Sequence, residues 1–198
     1  RVQPLLQDRQ VRAFFIFLAF SILMAWIIAD VGGFHVGLEG LRYAAFNVVS
    51  VVTGTGYAST DYGAWGAHSV TFFFLIMFVG GCAGSTSCGI KVFRFQVLFQ
   101  AVRMHLNQVM YPSGVFRPMF NQRPIQKQVI ASVMAFFFLF IASFVVLALG
   151  LKLTGLDTTT ALSGAGSALA NVGPGLGDII GPSGNYAELN TTAKWLLS

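Results

Sequence analysis

Two long apolar runs dominate the pattern of hydrophobic and polar positions along the chain. The first covers residues 13–29 and the second covers residues 129–151, and neither contains a charged residue. A helix rises 1.5 Å per residue and the hydrocarbon core of a bilayer is about 30 Å thick, so about 20 apolar residues suffice to cross it. The pattern therefore predicts two membrane-spanning helices, over about 11–31 and 129–151.

A shorter helical segment follows each predicted span and stops at a glycine-rich turn. Residues 39–52 precede the turn TGTGY at 53–57, and residues 156–170 precede the turn NVGPGLG at 171–177. A helix of about 14 residues is roughly 20 Å long, so it enters a bilayer without crossing it. The negative end of its dipole then points to the membrane centre and favours a cation there. This layout predicts pore loops, in which backbone carbonyls replace the water shell of a cation.

The apolar segment 67–103 is too long for one straight membrane helix, and small or polar residues interrupt its middle. The interruption consists of Gly80, Gly81, Cys82, Ala83, Gly84, Ser85, Thr86, Ser87, Cys88 and Gly89. Irregular backbone at membrane depth is tolerated only where it is buried in protein or lines a wet cavity. We therefore predict a broken helix. The break has two interpretations: a gate below the turn at 53–57, or a kink where helices pack closely through small residues.

The remaining segments complete the predicted organisation. Residues 107–128 contain Pro112, Pro118 and Pro124 among basic residues, which predicts an extramembranous loop. Residues 193–198 begin another apolar segment. Because the chain starts at an arginine rather than at Met and ends soon after that segment begins, we expect it to be a fragment of a longer polypeptide.

The two halves of the chain share one arrangement of span, short helix, glycine-rich turn and second span, over 1–106 and 129–198. Gly54 and Gly56 match Gly173 and Gly175 at a separation of 119 residues. Two spans per unit leave the repeats in the same orientation, unlike the inverted repeats of many secondary transporters. Around an axis the turns would meet at the centre. Two copies cannot close a ring, so we expect further copies from the missing chain or another subunit.

Composition places the chain in the membrane class. It has 55% hydrophobic residues, 10% charged residues and a mean hydropathy of +0.71, whereas soluble domains carry about 25% charged residues. The net charge of +5 does not indicate nucleic-acid binding, because the basic residues cluster beside apolar runs. Nine of the twelve lie on one predicted face, which the positive-inside rule makes cytoplasmic: Arg1, Arg9, Arg12, Lys91, Arg94, Arg103, Arg117, Arg123 and Lys127.

Six of the seven acidic residues lie on the opposite, outer face: Asp30, Glu39, Asp61, Asp157, Asp178 and Glu188. An acidic outer mouth raises the local cation concentration, although topological balance alone also explains this distribution.

The remaining reactive residue types do not form a recognisable site. Cys82 and Cys88 are predicted to be small buried residues, and His35, His68 and His105 are too far apart for a metal site. Three tryptophans are predicted at the outer membrane boundary: Trp26, Trp65 and Trp195. No catalytic triad or carboxylate pair appears within the spans, so the sequence indicates no enzyme.

The turn TGTGY, the break GGCAGSTSCGIKVFR and the turn NVGPGLG together resemble the Trk/Ktr/HKT superfamily of potassium transporters, nearest to its bacterial Trk-type membrane subunits. The resemblance implies an all-α membrane protein built from tandem M1–pore loop–M2 repeats, as in potassium channels. Family members have four repeats around one pore, and this chain resembles the last two, without most of the final M2 helix. It also implies a homodimer in a bacterial cytoplasmic membrane and a cytosolic nucleotide-binding (RCK-type) regulatory ring.

The resemblance further implies K⁺ uptake through a selectivity filter, with K⁺ as the transported ion and no cofactor. Gly56 and Gly175 match the family's filter glycine, and residues 80–89 match an intramembrane gating loop. The implied filter residues are Val52, Thr53, Gly54, Thr55, Gly56, Asn171, Val172, Gly173, Pro174 and Gly175. Two alternatives remain: a cation-coupled secondary carrier with a central occluded site, and a membrane scaffold that transports nothing.

Overall fold

The computed structural model describes residues 8–34, 37–111, 114, 119–120 and 123–198, apart from the side chain of Arg123. Its α-helices are α1 Arg9–Val31, α2 Leu38–Thr53, α3 Ala67–Ile76, α4 Val92–Met110, α5 Lys127–Leu153, α6 Thr158–Ala170 and α7 Thr191–Leu197. Its strands have two residues each: β1 Val79–Gly80, β2 Ile90–Lys91, β3 Met119–Phe120 and β4 Arg123–Pro124. Single-turn 3₁₀ helices occur at Tyr62–Trp65 and Tyr186–Glu188. The predicted helical class is confirmed.

Two of the described helices, α1 and α5, are long and apolar enough to cross a membrane. They have 23 and 27 residues, which corresponds to roughly 35 and 40 Å of helix. Only 17% and 6% of the residues in their most apolar windows are buried within the chain. A core helix of a soluble protein buries most of its apolar surface, whereas these helices turn that surface outward, as lipid-facing helices do.

The half-length helices α2 and α6 end at residues in the left-handed conformation. Gly54 ends α2 with φ +72°, and Asn171 ends α6 with φ +51°. At the other end of α6, the Asp157 carboxylate accepts a hydrogen bond from the Thr160 amide at 3.0 Å. Helix α2 includes Val52 and Thr53, two residues predicted to lie in the filter. The first turn therefore begins at Gly54, because glycine adopts this conformation readily and so ends the helix there.

The largest cluster of buried side chains joins the two repeats. Ala25 and Ala29 of α1 and Ala44 of α2 belong to this cluster and have no exposed surface, and such small side chains let membrane helices approach closely. Val172 and Leu176, which lie within the second glycine-rich turn, belong to this same cluster. The second turn is therefore anchored in the core of the first repeat.

The segment after the first turn folds back onto this core through aromatic contacts. The rings of Tyr62 and Phe73 stack with centroids 4.0 Å apart, and the Trp65 ring meets Phe73 edge-on. Trp65 is only 2% exposed, so its ring packs inside the chain rather than against lipid headgroups, and its place at the membrane boundary stays a prediction. Its apolar ring instead fills space between the 3₁₀ helix and α3. Trp195 is 77% exposed, and Trp26 donates its indole N–H to the Gly37 carbonyl at 3.0 Å.

The predicted broken helix is present as α3, an irregular segment and α4. Helix α3 ends at Ile76 and α4 begins at Val92, so the break is wider than residues 80–89. Strands β1 and β2 pair in parallel at its base, where the Ile90 amide donates to the Phe78 carbonyl at 2.8 Å. The Phe78 ring also meets the Phe144 ring of α5 edge-on. Both ends of the break are thereby held together against the second repeat.

The predicted loop 107–128 starts too early, because α4 continues to Met110. A residue that precedes proline avoids the helical conformation. Tyr111 precedes Pro112 and has φ −131°, so the helix ends just before it. Within the loop, β3 pairs with β4 in antiparallel orientation. The predictions made for Arg1, His35, Pro112, Arg117 and Pro118 concern positions outside the described residues.

Candidate functional site

The two glycine-rich turns leave their helices through the same pattern of backbone hydrogen bonds. The Thr55 amide donates to the Ser50 carbonyl at 2.9 Å, and the Val172 amide donates to the Ser167 carbonyl at 3.0 Å. Donor and acceptor are five positions apart in both cases. The left-handed residues Gly54 and Asn171 directly precede these donors. Corresponding positions in the two turns are therefore 117 residues apart.

Buried side chains of α2 and α6 hold the next corresponding pair of amides. Asn47 accepts a hydrogen bond from the Ser59 amide at 3.0 Å, and Ser163 accepts one from the Leu176 amide at 2.9 Å. Asn47 is fully buried and Ser163 is 1% exposed. Ser59 and Leu176 are again 117 residues apart, so the correspondence continues past the turns.

The predicted separation of 119 residues is thus wrong by two in the turns. Gly56 has φ +78° and corresponds to Gly173, which has φ +110°. Gly175, the predicted partner of Gly56, is not among the positive-φ glycines. It lies later in the segment 171–177, where its amide donates to the Ile180 carbonyl at 2.7 Å. Both turns contain the sequence Gly-x-Gly, but these sequences do not occupy equivalent positions in the structure, because Asn171 rather than a glycine ends α6.

The two turns touch each other through their backbones. A Cβ built on Gly54 would lie 3.3 Å from the Asn171 carbonyl oxygen, and one built on Gly173 would lie 3.5 Å from the Gly56 Cα. A Cβ on Gly56 would clash with the Val172 carbonyl oxygen. The carbonyls of Asn171 and Val172 therefore lie on the side of the second turn that faces the first.

The Gly173 carbonyl has two hydrogen-bond donors, although it is predicted to line the filter. It accepts from the Tyr186 hydroxyl at 2.7 Å and from the Ser167 hydroxyl at 3.0 Å. A carbonyl oxygen has two lone pairs, so these donors leave it no free position for a cation. The carbonyls of Val52 and Thr53 differ from that of Gly173 because they can still accept a cation. They are among the last carbonyls of helix α2, which have no hydrogen-bond partner within the helix.

Two threonine hydroxyls shape the first turn. Thr53 donates to the Val49 carbonyl at 2.7 Å, and its hydroxyl lies 2.8 Å from that of Thr55. Thr55 is exposed. The first turn therefore presents hydroxyl as well as carbonyl oxygens on its open side.

The break between α3 and α4 reaches the second turn. The Asn171 side-chain amide donates to the Cys88 sulfur at 3.6 Å, across 83 positions of sequence. The Gly81 amide donates to the Ser87 hydroxyl at 2.7 Å, and the Lys91 ammonium donates to the Ser85 carbonyl at 2.5 Å. The break is thus an internally bonded loop lying against one of the turns.

Cys88 is exposed and Cys82 is partly exposed, so the prediction that both are buried is wrong. Cys88 lies where the loop meets Asn171 rather than within a packed core. Among the described residues, no three His, Cys, Asp or Glu side chains form a potential metal-binding group.

The 3₁₀ helix beside the first turn contains a strongly perturbed tyrosine. Burial, with Asp61 and Tyr186 nearby, raises the pKa of Tyr62 far above its ordinary value. Asp61 caps this helix by accepting from the Gly63 amide at 2.9 Å, and it is exposed. A neutral phenol and an exposed carboxylate therefore lie next to each other at this end of the turn.

Comparison with known proteins assigns the chain to a family. The family model TrkH, described as a cation transport protein, matches residues 4–198. The chain belongs to this family. The crystal structure of the potassium transporter TrkH from Vibrio parahaemolyticus matches 98% of the chain with a TM-score of 0.87 and 30% identity. The predicted superfamily and the helical membrane fold are thereby confirmed.

The curated relatives that the chain resembles are also named as potassium uptake proteins. The Trk system potassium uptake protein TrkI of Halomonas elongata is 51% identical over 98% of the chain, and TrkG of Escherichia coli K12 is 30% identical over 99%. These relatives are transport proteins rather than enzymes, in agreement with the prediction for this chain. The chain spans 39–40% of their length and 41% of the solved TrkH chain.

Sequence reasoning missed the polar side chains behind the turns: Asn47, Ser163, Ser167 and Tyr186. The serines at the corresponding positions 50 and 167 were a usable signal, once the separation is taken as 117. Nothing in the sequence pattern connects Tyr186 with Gly173, because the intervening segment forms no regular structure that would fix their spacing.

Proposed function

We propose that this chain forms part of a potassium uptake pathway across a bacterial cytoplasmic membrane. The observation that carries the proposal is the contact between the two glycine-rich turns, each of which follows a half-length helix. The names of the relatives, which describe potassium uptake proteins, support K⁺ as the ion. The two turns would form one side of a selectivity filter, and the rest of a longer polypeptide would complete it.

The filter would bind K⁺ through backbone oxygens. The candidates are the last carbonyls of α2, at Val52 and Thr53, the carbonyls of the first turn at 54–56, and those of Asn171 and Val172. Helices α2 and α6 both direct their negative dipole ends to these turns, which favours a cation there. Rings of carbonyl dipoles are the means by which potassium filters replace the hydration shell of the ion.

The loop between α3 and α4 would act as a gate. It lies against Asn171 of the second turn and is bonded internally, so it can occlude the pathway as one unit. Irregular backbone at membrane depth needs a wet or protein-lined environment, and a position beneath a filter supplies one. In this proposal the ion pathway opens when the loop moves away from Asn171.

We also propose the assembly that the family resemblance implies. The chain would cross the membrane several times, the whole protein would form a homodimer, and a cytosolic nucleotide-binding ring would contact the basic inner face. The exposed side chains of Arg103 on α4 and Lys127 at the start of α5 contribute to the charge of that face. Cross-linking of whole cells, followed by mass determination, would test for both partners.

The central experiment is ⁸⁶Rb⁺ uptake into proteoliposomes that contain the full-length protein, with K⁺ or Na⁺ as competitor. Uptake that K⁺ blocks strongly and Na⁺ blocks weakly is the expected result. Equal competition would reject a potassium filter. Uptake that saturates and strictly requires a co-ion would favour the cation-coupled carrier, and no uptake with or without the ring would favour a non-transporting scaffold.

A further inference from the structure

Two hydroxyl groups form hydrogen bonds with the backbone of Gly173 on the side away from the first turn. The Ser167 hydroxyl donates to its carbonyl at 3.0 Å and accepts from its amide at 3.2 Å. The Tyr186 hydroxyl donates to the same carbonyl at 2.7 Å and lies 3.5 Å from the Ser167 oxygen. We call Ser167, Tyr186 and Gly173 the clamp. Both hydrogen-bonding groups of Gly173 are thereby satisfied on the side away from the first turn.

The clamp has no equivalent behind the first turn. Ser50 corresponds to Ser167, but its hydroxyl is buried and has no hydrogen-bond partner in the described part of the chain. Tyr62 corresponds to Tyr186, because each begins a 3₁₀ helix that the preceding residue caps, but the Tyr62 ring is buried in a stack with Phe73. The two turns therefore share a backbone course but are supported differently.

Packing alone does not fix the Gly173 backbone. Gly173 is exposed and has φ +110°, a conformation open to it because it lacks a Cβ. The hydrogen bonds from Ser167 and Tyr186 are therefore the main restraints on the orientation of the Gly173 carbonyl.

We propose that Tyr186 is a positioning residue that sets ion selectivity by keeping the Gly173 carbonyl out of the pathway. The inference rests on the proposed function and extends it to a residue outside the glycine-rich turns. Without the phenol hydroxyl, the carbonyl keeps only the weaker restraint from Ser167, so it turns towards the axis more often and changes the number of oxygens that coordinate the ion. The number of carbonyl dipoles around the ion is one determinant of K⁺ over Na⁺ selectivity.

The environment of Tyr186 suits a permanent donor. Burial raises the pKa of Tyr186, although its contact with Ser167 opposes the change. The phenol therefore keeps its proton throughout the neutral range. A second donor, Ser167, acts on the same carbonyl, so loss of one hydroxyl is expected to weaken the restraint rather than abolish the fold.

The test is Tyr186→Phe in the full-length protein, with the ratio of K⁺ to Na⁺ competition for ⁸⁶Rb⁺ uptake as the readout. One hydrogen bond to a carbonyl is typically worth about 1 kcal/mol, so the ratio is expected to fall roughly threefold to tenfold. Tyr111→Phe removes the same hydroxyl from an exposed residue at the end of α4 and is expected to keep the wild-type ratio.

Ser167→Ala provides a second variant that acts on the same carbonyl. If each hydroxyl restrains Gly173 when the other is lost, the double variant will lose more selectivity than the sum of the two single losses predicts. An unchanged ratio in both single variants would overturn the proposal, as would lower total uptake at a constant ratio, which is the result of a purely structural role. A wild-type protein that does not discriminate K⁺ from Na⁺ would instead reject the proposed function, and the clamp with it.

Discussion

The Cα of Gly56 lies so close to the Val172 carbonyl oxygen that any side chain at Gly56 would clash with it. These residues belong to different repeats and are 116 positions apart in the chain. Their contact brings the ends of two half-length helices to one place. The glycine is required here for two reasons, its φ of +78° and the lack of space for a Cβ.

Replacement of Gly56 by serine should therefore loosen discrimination between K⁺ and Na⁺. The new Cβ would displace the Val172 carbonyl, and the positive φ would add strain of about 1–2 kcal/mol. We expect the ratio of K⁺ to Na⁺ competition to fall by about tenfold, since 1.4 kcal/mol corresponds to that factor. Competition for ⁸⁶Rb⁺ uptake measures it.

Gly155→Ser is the matched control for this substitution. Gly155 has φ +91° but no atom within contact distance of a built Cβ, so serine there introduces backbone strain without the clash. Its selectivity should equal that of the wild type. If Gly155→Ser and Gly56→Ser reduced the ratio equally, general strain rather than the contact with Val172 would be responsible.

Deletion of residues 84–87 should increase the rate of uptake several-fold. These residues form the tip of the loop that lies against the second turn, whereas β1 and β2 hold its base. Replacement of the same four residues by four glycines keeps the length of the loop and should raise the rate less. The measurement is the rate of ⁸⁶Rb⁺ uptake into vesicles with equal amounts of protein. Equal rates in the wild type, the deletion variant and the four-glycine variant would contradict the assignment of the loop as a gate.

A thiol reagent should reach Cys88 and block the pathway. Cys88 is exposed and contacts the Asn171 side chain of the second turn. A methanethiosulfonate reagent would transfer its bulky thioalkyl group to the Cys88 sulfur, with methanesulfinate as the leaving group, and we expect this adduct beside Asn171 to remove most of the ⁸⁶Rb⁺ uptake. The Cys88→Ser variant, which keeps the partly exposed Cys82, should resist the reagent. Inhibition of both proteins to the same extent would contradict this placement.

Asp157→Ala should destabilise α6 by about 1 kcal/mol, the usual cost of losing a helix N-cap. Partial burial raises the pKa of Asp157, but hydrogen bonds from Thr160 and neighbouring amides outweigh it and lower the pKa overall. A lowered pKa means that this stabilisation is present above the ordinary carboxyl pKa and is lost as the pH falls through the value in the folded protein.

Asp157→Asn separates capping from charge. Asparagine caps a helix about as well as aspartate, so this variant should unfold near the wild-type temperature at neutral pH and lack the acid-dependent loss. Thermal unfolding in detergent at pH 7 and pH 3 measures both effects. Equal pH dependence in the aspartate and asparagine proteins would assign the loss to other carboxylates.

The sequence predicted the elements of this fold better than the relation between them. Long uncharged runs and glycine-rich turns identify α1, α5 and the ends of α2 and α6, because these features act locally. The register of the repeats was missed by two residues, since left-handed helix ends accept Asn171 as well as Gly54. The hydrogen bond between Tyr186 and Gly173 depends on tertiary contacts, which no local pattern reveals.

The most direct test of the central claim is to locate Rb⁺ by anomalous X-ray diffraction in crystals of the full-length protein. The account predicts an anomalous peak beside the two turns, within coordination distance of the carbonyls of Asn171 or Val172 and of the first turn. Rb⁺ bound only at exposed carboxylates such as Asp61 and Asp178, with none between the turns, would contradict it.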